Sequence, residues 1–170
     1  MVMQMRHTRR NWAPFLVSAS LLLAPLHAQT FAMSAAVTNN MAIVVHPSVT
    51  VDNVSARDLG RLLLGERRFW QDRLRVKLLV RAPKSTERDV YVKAVCQMTE
   101  PQFRQYWIGM VFRGRATSSP KVTYSNRMAY QLARAIPGAL AILPIRDVGP
   151  GVKVLKVNGK RPGEAGYRLR

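Results

Sequence analysis

The chain has 170 residues, of which 48% are hydrophobic and 21% charged. That balance excludes a disordered polymer and makes one globular domain the default. Its 27 Lys+Arg against 9 Asp+Glu leave a formal charge of +18, an excess that speaks to partners and solubility rather than to fold. Phosphate-bearing ligands, nucleic acid, anionic lipid and acidic proteins all fit it.

The first 28 residues read as a secretory signal peptide. Arg6, Arg9 and Arg10 form a positive start, and Trp12 to Leu26 is apolar, uncharged and short for a membrane span. Small-residue cleavage candidates follow at Leu26-His27-Ala28 and Thr30-Phe31-Ala32. A retained short anchor is the alternative. Removal of residues 1–28 takes three arginines and no acid, leaving 24 basic residues against 9 acidic ones, or +15. The expectation is a soluble periplasmic protein, and export counts against nucleic acid as its partner. Cys96 is the lone cysteine, so the chain forms no internal disulfide and carries no zinc or redox motif; no metal or cofactor is expected.

Residues 29–40 read as a flexible lead-in, 41–159 as the domain, and 160–170 as a basic, frayed C-terminal tail. Met41 to Val45, MAIVV, is a continuous apolar run that suits a buried strand, stopped by His46-Pro47. Ser55 to Asp58 resembles a capping box, and Leu59, Leu62 and Leu63 then line one helical face as far as Gly65. Phe69 to Asp72 is a turn region, and Val76 to Val80 a second buried strand.

From Ser85 or Thr86 a helix is expected to about Met98. Thr99 to Gln102 is a second capping box, and the helix after it carries Phe103, Tyr106, Trp107, Met110 and Val111 on one broad face. Gly114 to Pro120 is a loop. Ser125 caps a helix to about Ile136, Pro137-Gly138 ends it, and strands follow at 139–143 and 152–157. Alternating strands and helices indicate an α/β domain with a mixed, mainly parallel sheet. The aromatic groups, Phe69-Trp70 and Phe103/Tyr106/Trp107, have the composition of interface anchors, but helical spacing favours a core role.

No catalytic constellation stands out. His7 and His27 leave with the signal, so any His-dependent chemistry rests on His46, and Cys96 lies inside an apolar helical pattern. The chain is therefore expected not to be an enzyme. The stretch from Arg81 to Asp89 is the one that could bind something. An apolar strand ends in Arg81, and a helix begins at Ser85 and Thr86. A helix start presents unpaired N–H groups and the positive end of the dipole, and a guanidinium adds a two-pronged contact to an oxyanion. An ordinary cap beside a surface arginine explains the same residues. Glu87 in the first turn competes for the same positive end.

Residues 49–95, VTVDNVSARDLGRLLLGERRFWQDRLRVKLLVRAPKSTERDVYVKAV, resemble the central segment of the phosphate-binding protein of the bacterial high-affinity phosphate ABC transporter. Leu63-Leu64-Gly65, Trp70 with Asp72, Val80-Arg81, Ser85 and Tyr91 hold the family's places. Pro137-Gly138-Ala139-Leu140 resembles its Pro-Gly-Ala-Ile, with Ala141 and Ile142 in place of Gly and Tyr. The likeness spans about residues 41 to 157 and is nearest to the short exported proteins labelled phosphate ABC transporter substrate-binding proteins.

The resemblance implies a single lobe of the type II periplasmic-binding-protein fold. It implies a phosphate or similar oxyanion held by Arg81 and Ser85, with Lys84 and Thr86 beside them and the backbone N–H groups near Thr86 and Glu87. An inner-membrane ABC permease or a sensor protein would be the partner, with weak contact to an anionic membrane surface. Three departures stand out. Lys84 and Thr86 replace two glycines, Glu87 stands where a second hydroxyl would be, and the family's N-terminal Gly- and Ser-rich phosphate loop has no counterpart. The alternative is an exported adaptor or sensor-partner module that has lost tight phosphate binding and works through its basic surface.

Overall fold

The computed structural model describes residues 40–167 and 169; the signal segment and all but the last residue of the lead-in lie outside them. Six strands form one mixed sheet: β1 (Met41–Val45), β2 (Asn53–Val54), β3 (Lys77–Arg81), β4 (Lys121–Thr123), β5 (Ala139–Pro144) and β6 (Lys153–Val157), in the order β2-β6-β1-β5-β3-β4. β1 runs antiparallel to both β5 and β6, while β3 is parallel to β5 and to β4, and β2 is parallel to β6. The α/β expectation with a mixed, mainly parallel sheet holds.

The continuous apolar run of β1 has a direct cause. Met41, Ile43 and Val45 face one core, and Ala42 and Val44 face the other. β5 divides in the same way, Leu140 and Ile142 on one side, Ala139, Ala141 and Leu143 on the other. Central strands covered on both faces need no polar positions.

The larger core packs under α1 (Ala56–Leu63), α3 (Glu100–Phe112) and α2 (Thr86–Asp89), which continues as a wide π-helical turn, Val90–Val95. The smaller core packs under α4 (Asn126–Ala135), whose Ala129 and Ala133 meet the small side chains of β1 and β5. Ser55, Ser85, Thr99 and Ser125 cap these four helices, the Thr99 cap closing as a full capping box with Gln102. The far end of α1 is closed by two tyrosines. Tyr91 donates its hydroxyl to the Leu63 carbonyl at 2.8 Å and Tyr106 to that of Leu64 at 2.9 Å, satisfying acceptors that a helix end leaves open.

Three expectations change. The helix from Ser85 widens at Val90 and ends at Cys96. Two short strands, β2 and β4, escaped the reading. Within the stretch read as a frayed tail, Tyr167 and Leu169 are buried in the larger core, and the Leu169 carbonyl accepts the Met41 N–H at 3.0 Å. Two apolar side chains among charged neighbours give no period, yet they cover the outside of β1. Of the aromatics, Trp70, Phe103 and Trp107 are core, and Phe69 is exposed beneath the Arg75 guanidinium, 5.7 Å from its ring centre.

Candidate functional site

β3, β4 and β5 run parallel and end on the same side, so the segments that follow them meet there. Crevices of this kind, beyond the carboxyl ends of strands, are where open α/β sheets bind ligands. Arg81 closes β3 and Thr123 closes β4, Asn126 opens α4, and Asp147 sits in the 3-10 turn after β5, Ile145–Asp147.

Of the expected oxyanion residues, Arg81 is mostly buried and already engaged. It donates to the Thr123 carbonyl at 2.7 Å, and its Nε lies 3.7 Å from Glu87 Oε2. That separation is short enough for charge pairing and too long for a hydrogen bond, so Nε has no hydrogen-bond partner among the described residues. Ser85 serves as the helix cap, accepting from the Arg88 N–H at 3.2 Å and donating to the Ala82 carbonyl at 3.0 Å. Lys84 is exposed with φ of 69°, a left-handed conformation where glycine would sit without strain. Thr86 is exposed beside it. The four residues are therefore neighbours in space, but only Arg81 reaches into the crevice.

Glu87 is the residue whose place the sequence reading left unsettled. It is buried, yet it does not cap its own helix. Its carboxylate turns inward to Arg81, and its other oxygen accepts from Asn126 Nδ2 at 2.9 Å. The same amide donates its second hydrogen to Asp147 Oδ2 at 2.7 Å, while Asn126 Oδ1 has no partner among the described residues. The crevice thus gathers one guanidinium, two carboxylates and an amide bridging them. Arg88 backs this group: it forms a two-pronged pair with Glu100, at 3.0 and 2.6 Å, and its guanidinium covers the Phe103 ring at 4.8 Å.

The arrangement bears on anions directly. A carboxylate 3.7 Å from the guanidinium already supplies Arg81 with a counter-charge. Two unit charges at such a range attract by about 4 kcal/mol at an effective dielectric of 20. A competing anion has to overcome that attraction and also approach Asp147. Asn126 and Asp147 were missed by the sequence reading. They come from 39 and 60 positions after Glu87, and only the topology joins them.

The other candidates separate from this crevice. Cys96 is buried, and desolvation holds its thiol at a pKa of about 12, so it carries no thiolate at neutral pH. His46 is half-buried at the end of β1, its Nδ1 2.7 Å from the Ser48 hydroxyl. Among the described residues no three His, Cys, Asp or Glu side chains gather as metal ligands, and no helix is long and apolar enough to cross a membrane.

No family model matches the chain, and no curated protein sequence matches it. Solved structures do. An ABC-type phosphate transport receptor from Vibrio cholerae superimposes with a TM-score of 0.60 at 20% identity, covering 76% of this chain and 52% of the receptor. The fold is that of these receptors. A putative phosphate ABC transporter substrate-binding protein from Clostridium perfringens, solved with bound phosphate, gives 0.59 at 13% identity, covering 72% of this chain and 46% of that one. PstS from Borrelia burgdorferi gives 0.58 at 15% identity, with 76% and 53% covered. The chain spans about half the length of each.

Proposed function

We propose that this chain is an exported binding module built on one lobe of the phosphate-receptor fold, in which Glu87 acts as a resident anion on Arg81. The module then works by contacting an envelope protein rather than by carrying phosphate on its own. One observation carries the reading: the buried Glu87 carboxylate stands 3.7 Å from Arg81 Nε, where a free oxyanion would bind. The exposed apolar side chains Ile108, Phe112, Val122 and Tyr124 support a surface used for contact, with Ile108 and Val122 lining one hollow together with Arg88 and Arg104.

The second reading is reversible binding of phosphate or a similar oxyanion at Arg81, with Lys84, Ser85 and Thr86 around it and an ABC permease or sensor as the downstream partner. The hydrogen-bond-free Arg81 Nε favours it, as does the phosphate bound in the Clostridium perfringens neighbour.

Thermal unfolding of the signal-free protein against phosphate, sulfate and chloride at matched ionic strength separates the two. A ligand at one hundred times its dissociation constant adds about 2.7 kcal/mol to a protein that binds it only when folded. The resident-anion reading expects no phosphate-specific rise in the parent protein and a rise in Glu87→Thr. A phosphate-specific rise in the parent protein, lost in Arg81→Ala, would overturn it in favour of oxyanion capture.

A further inference from the structure

At the opposite end of β3 lies a cavity of about 430 Å³, within the size range of small-molecule sites. It opens between the start of β3, the end of α1, the middle of α3 and the loop leading into β4. Its walls have two characters. Leu62, Val76, Leu78, Trp107 and Ile136 supply apolar surface, and Arg67, Arg68, Arg75, Lys77 and Lys121 supply five cations. No aspartate or glutamate lines it among the described residues. Thr117, Ser118 and Ser119 add hydroxyls on the loop side.

Trp107 gives a second, independent observation. Its indole is 4% exposed, and its Nε1–H has no acceptor among the described residues. Buried donors are nearly always paired, and one left alone costs about 1–3 kcal/mol. The indole sits where it does because Gly65 has no side chain. A Cβ on Gly65 would lie 2.6 Å from the ring, and the residue's φ of 69° also suits glycine. Sequence and structure thus bring an aromatic wall with a spare donor to the edge of a cation-lined hollow.

We infer that this cavity binds an amphipathic anion, a small molecule with a phosphate or carboxylate head and a compact hydrocarbon body. The cations and the hydroxyls receive the head, and the apolar wall receives the body. A bare inorganic ion would leave that wall wet, and an uncharged hydrocarbon would leave the basic lining without a counter-ion. The site is separate from the Arg81 crevice: Lys77 begins β3 and Arg81 ends it, about 13 Å apart at the usual rise of a strand.

The test is a titration of tryptophan fluorescence and thermal midpoint in the signal-free protein. The probes are octyl phosphate below its micelle concentration, inorganic phosphate and octyl glucoside, at matched ionic strength. Octyl phosphate is expected to give a saturable emission change and a higher midpoint, and the other two neither. The double variant Arg75→Gln/Lys121→Gln, at exposed positions, should weaken octyl phosphate at least tenfold. Lys156→Gln/Lys160→Gln, at the far side of the sheet, should leave it unchanged. An equal response to octyl glucoside, an undiminished response in the Arg75/Lys121 variant, or no response to octyl phosphate would overturn the inference. Loss of binding in the Lys156/Lys160 variant would make the response one of general surface charge and overturn it too.

Discussion

At its carboxyl end β3 delivers Arg81 into a cluster with Glu87, Asn126 and Asp147; at its amino end Lys77 opens onto a cavity lined by five basic residues and, among the described residues, no acid. The chain is strongly basic throughout, so net charge does not set the difference. Burial does. Arg81 is taken out of water, and a desolvated guanidinium requires a counter-ion and acceptors. The fold supplies them from Glu87 and the Thr123 carbonyl. Lys77, Arg75 and Lys121 stay exposed, Arg75 with its guanidinium over the Phe69 ring, and none of the three is paired with a carboxylate among the described residues, so their charge remains available to a ligand. The guanidinium that the strand end brings into the crevice is therefore already matched by a carboxylate of the same chain.

The largest effect is expected at the amino end. Gly138 has φ of 76°, and a Cβ there would lie 2.2 Å from the Arg75 carbonyl oxygen. Its own carbonyl accepts from the Trp70 indole and from the Lys77 N–H, both at 3.0 Å. Gly138→Ala has to move the backbone that starts both β3 and β5. A loss of about 2–4 kcal/mol is expected from combined strain and overpacking, read by urea unfolding. A loss below 0.5 kcal/mol would show that the amino end is not held by this contact.

Next comes the carboxyl end. Glu87→Ala leaves the Arg81 guanidinium without its counter-ion and Asn126 Nδ2 short of one acceptor. Stranded buried groups of this kind cost about 1–3 kcal/mol, more where charge is involved. Glu87→Gln keeps an acceptor for Asn126 and should recover part of the loss. Equal stability of the parent and Glu87→Ala would mean that water already serves Arg81, and the contrast between the two ends would fail. Smaller again is Ser125→Ala, which removes the cap from the Met128 N–H at 3.0 Å, one residue before Asn126. About 1 kcal/mol is expected for such a cap, together with a weaker hold on Asn126.

How far these features could be read from sequence follows from what each one rests on. β1 and β5 were legible because burial on both faces writes an unbroken apolar run. The helix starts were legible because Ser55, Ser85, Thr99 and Ser125 cap them with short-range hydrogen bonds. β4 was not, since an edge strand of Lys121, Val122 and Thr123 with two exposed side chains carries its identity in ladder pairing alone. At the crevice, Arg81 and Ser85 lie on one local segment and were visible. Glu87 was visible as a carboxylate competing for the helix start, but its hydrogen-bond partner Asn126, and Asp147 beyond it, are brought to it only by the parallel topology. The cavity at the amino end left no motif, because its walls come from five separate stretches of chain.

The smallest effect lies away from both ends, at the β2–β6 edge, and serves to calibrate the others. Asp52 is paired with Lys153 at 2.6 Å. The hydrogen bond from Lys153, and then its charge, hold the Asp52 carboxyl below the ordinary aspartate value of 3.8. A folded-state pKa below the unfolded one contributes stability above the unfolded value, and that contribution fades as pH falls through the folded value. The stability difference between the parent and Asp52→Asn should therefore be constant from neutral pH down to about pH 5, then shrink to nothing below the ordinary aspartate range. Asp52 is exposed to water, which screens the pair, so the difference should be well under that of Glu87→Ala at pH 7. Paired urea unfolding at pH 7 and at pH 3 reads both points. If the exposed Asp52 pair proved as costly to remove as the buried Glu87, burial would not be what separates the two ends of β3, and the charge surplus of the whole chain would have to explain both.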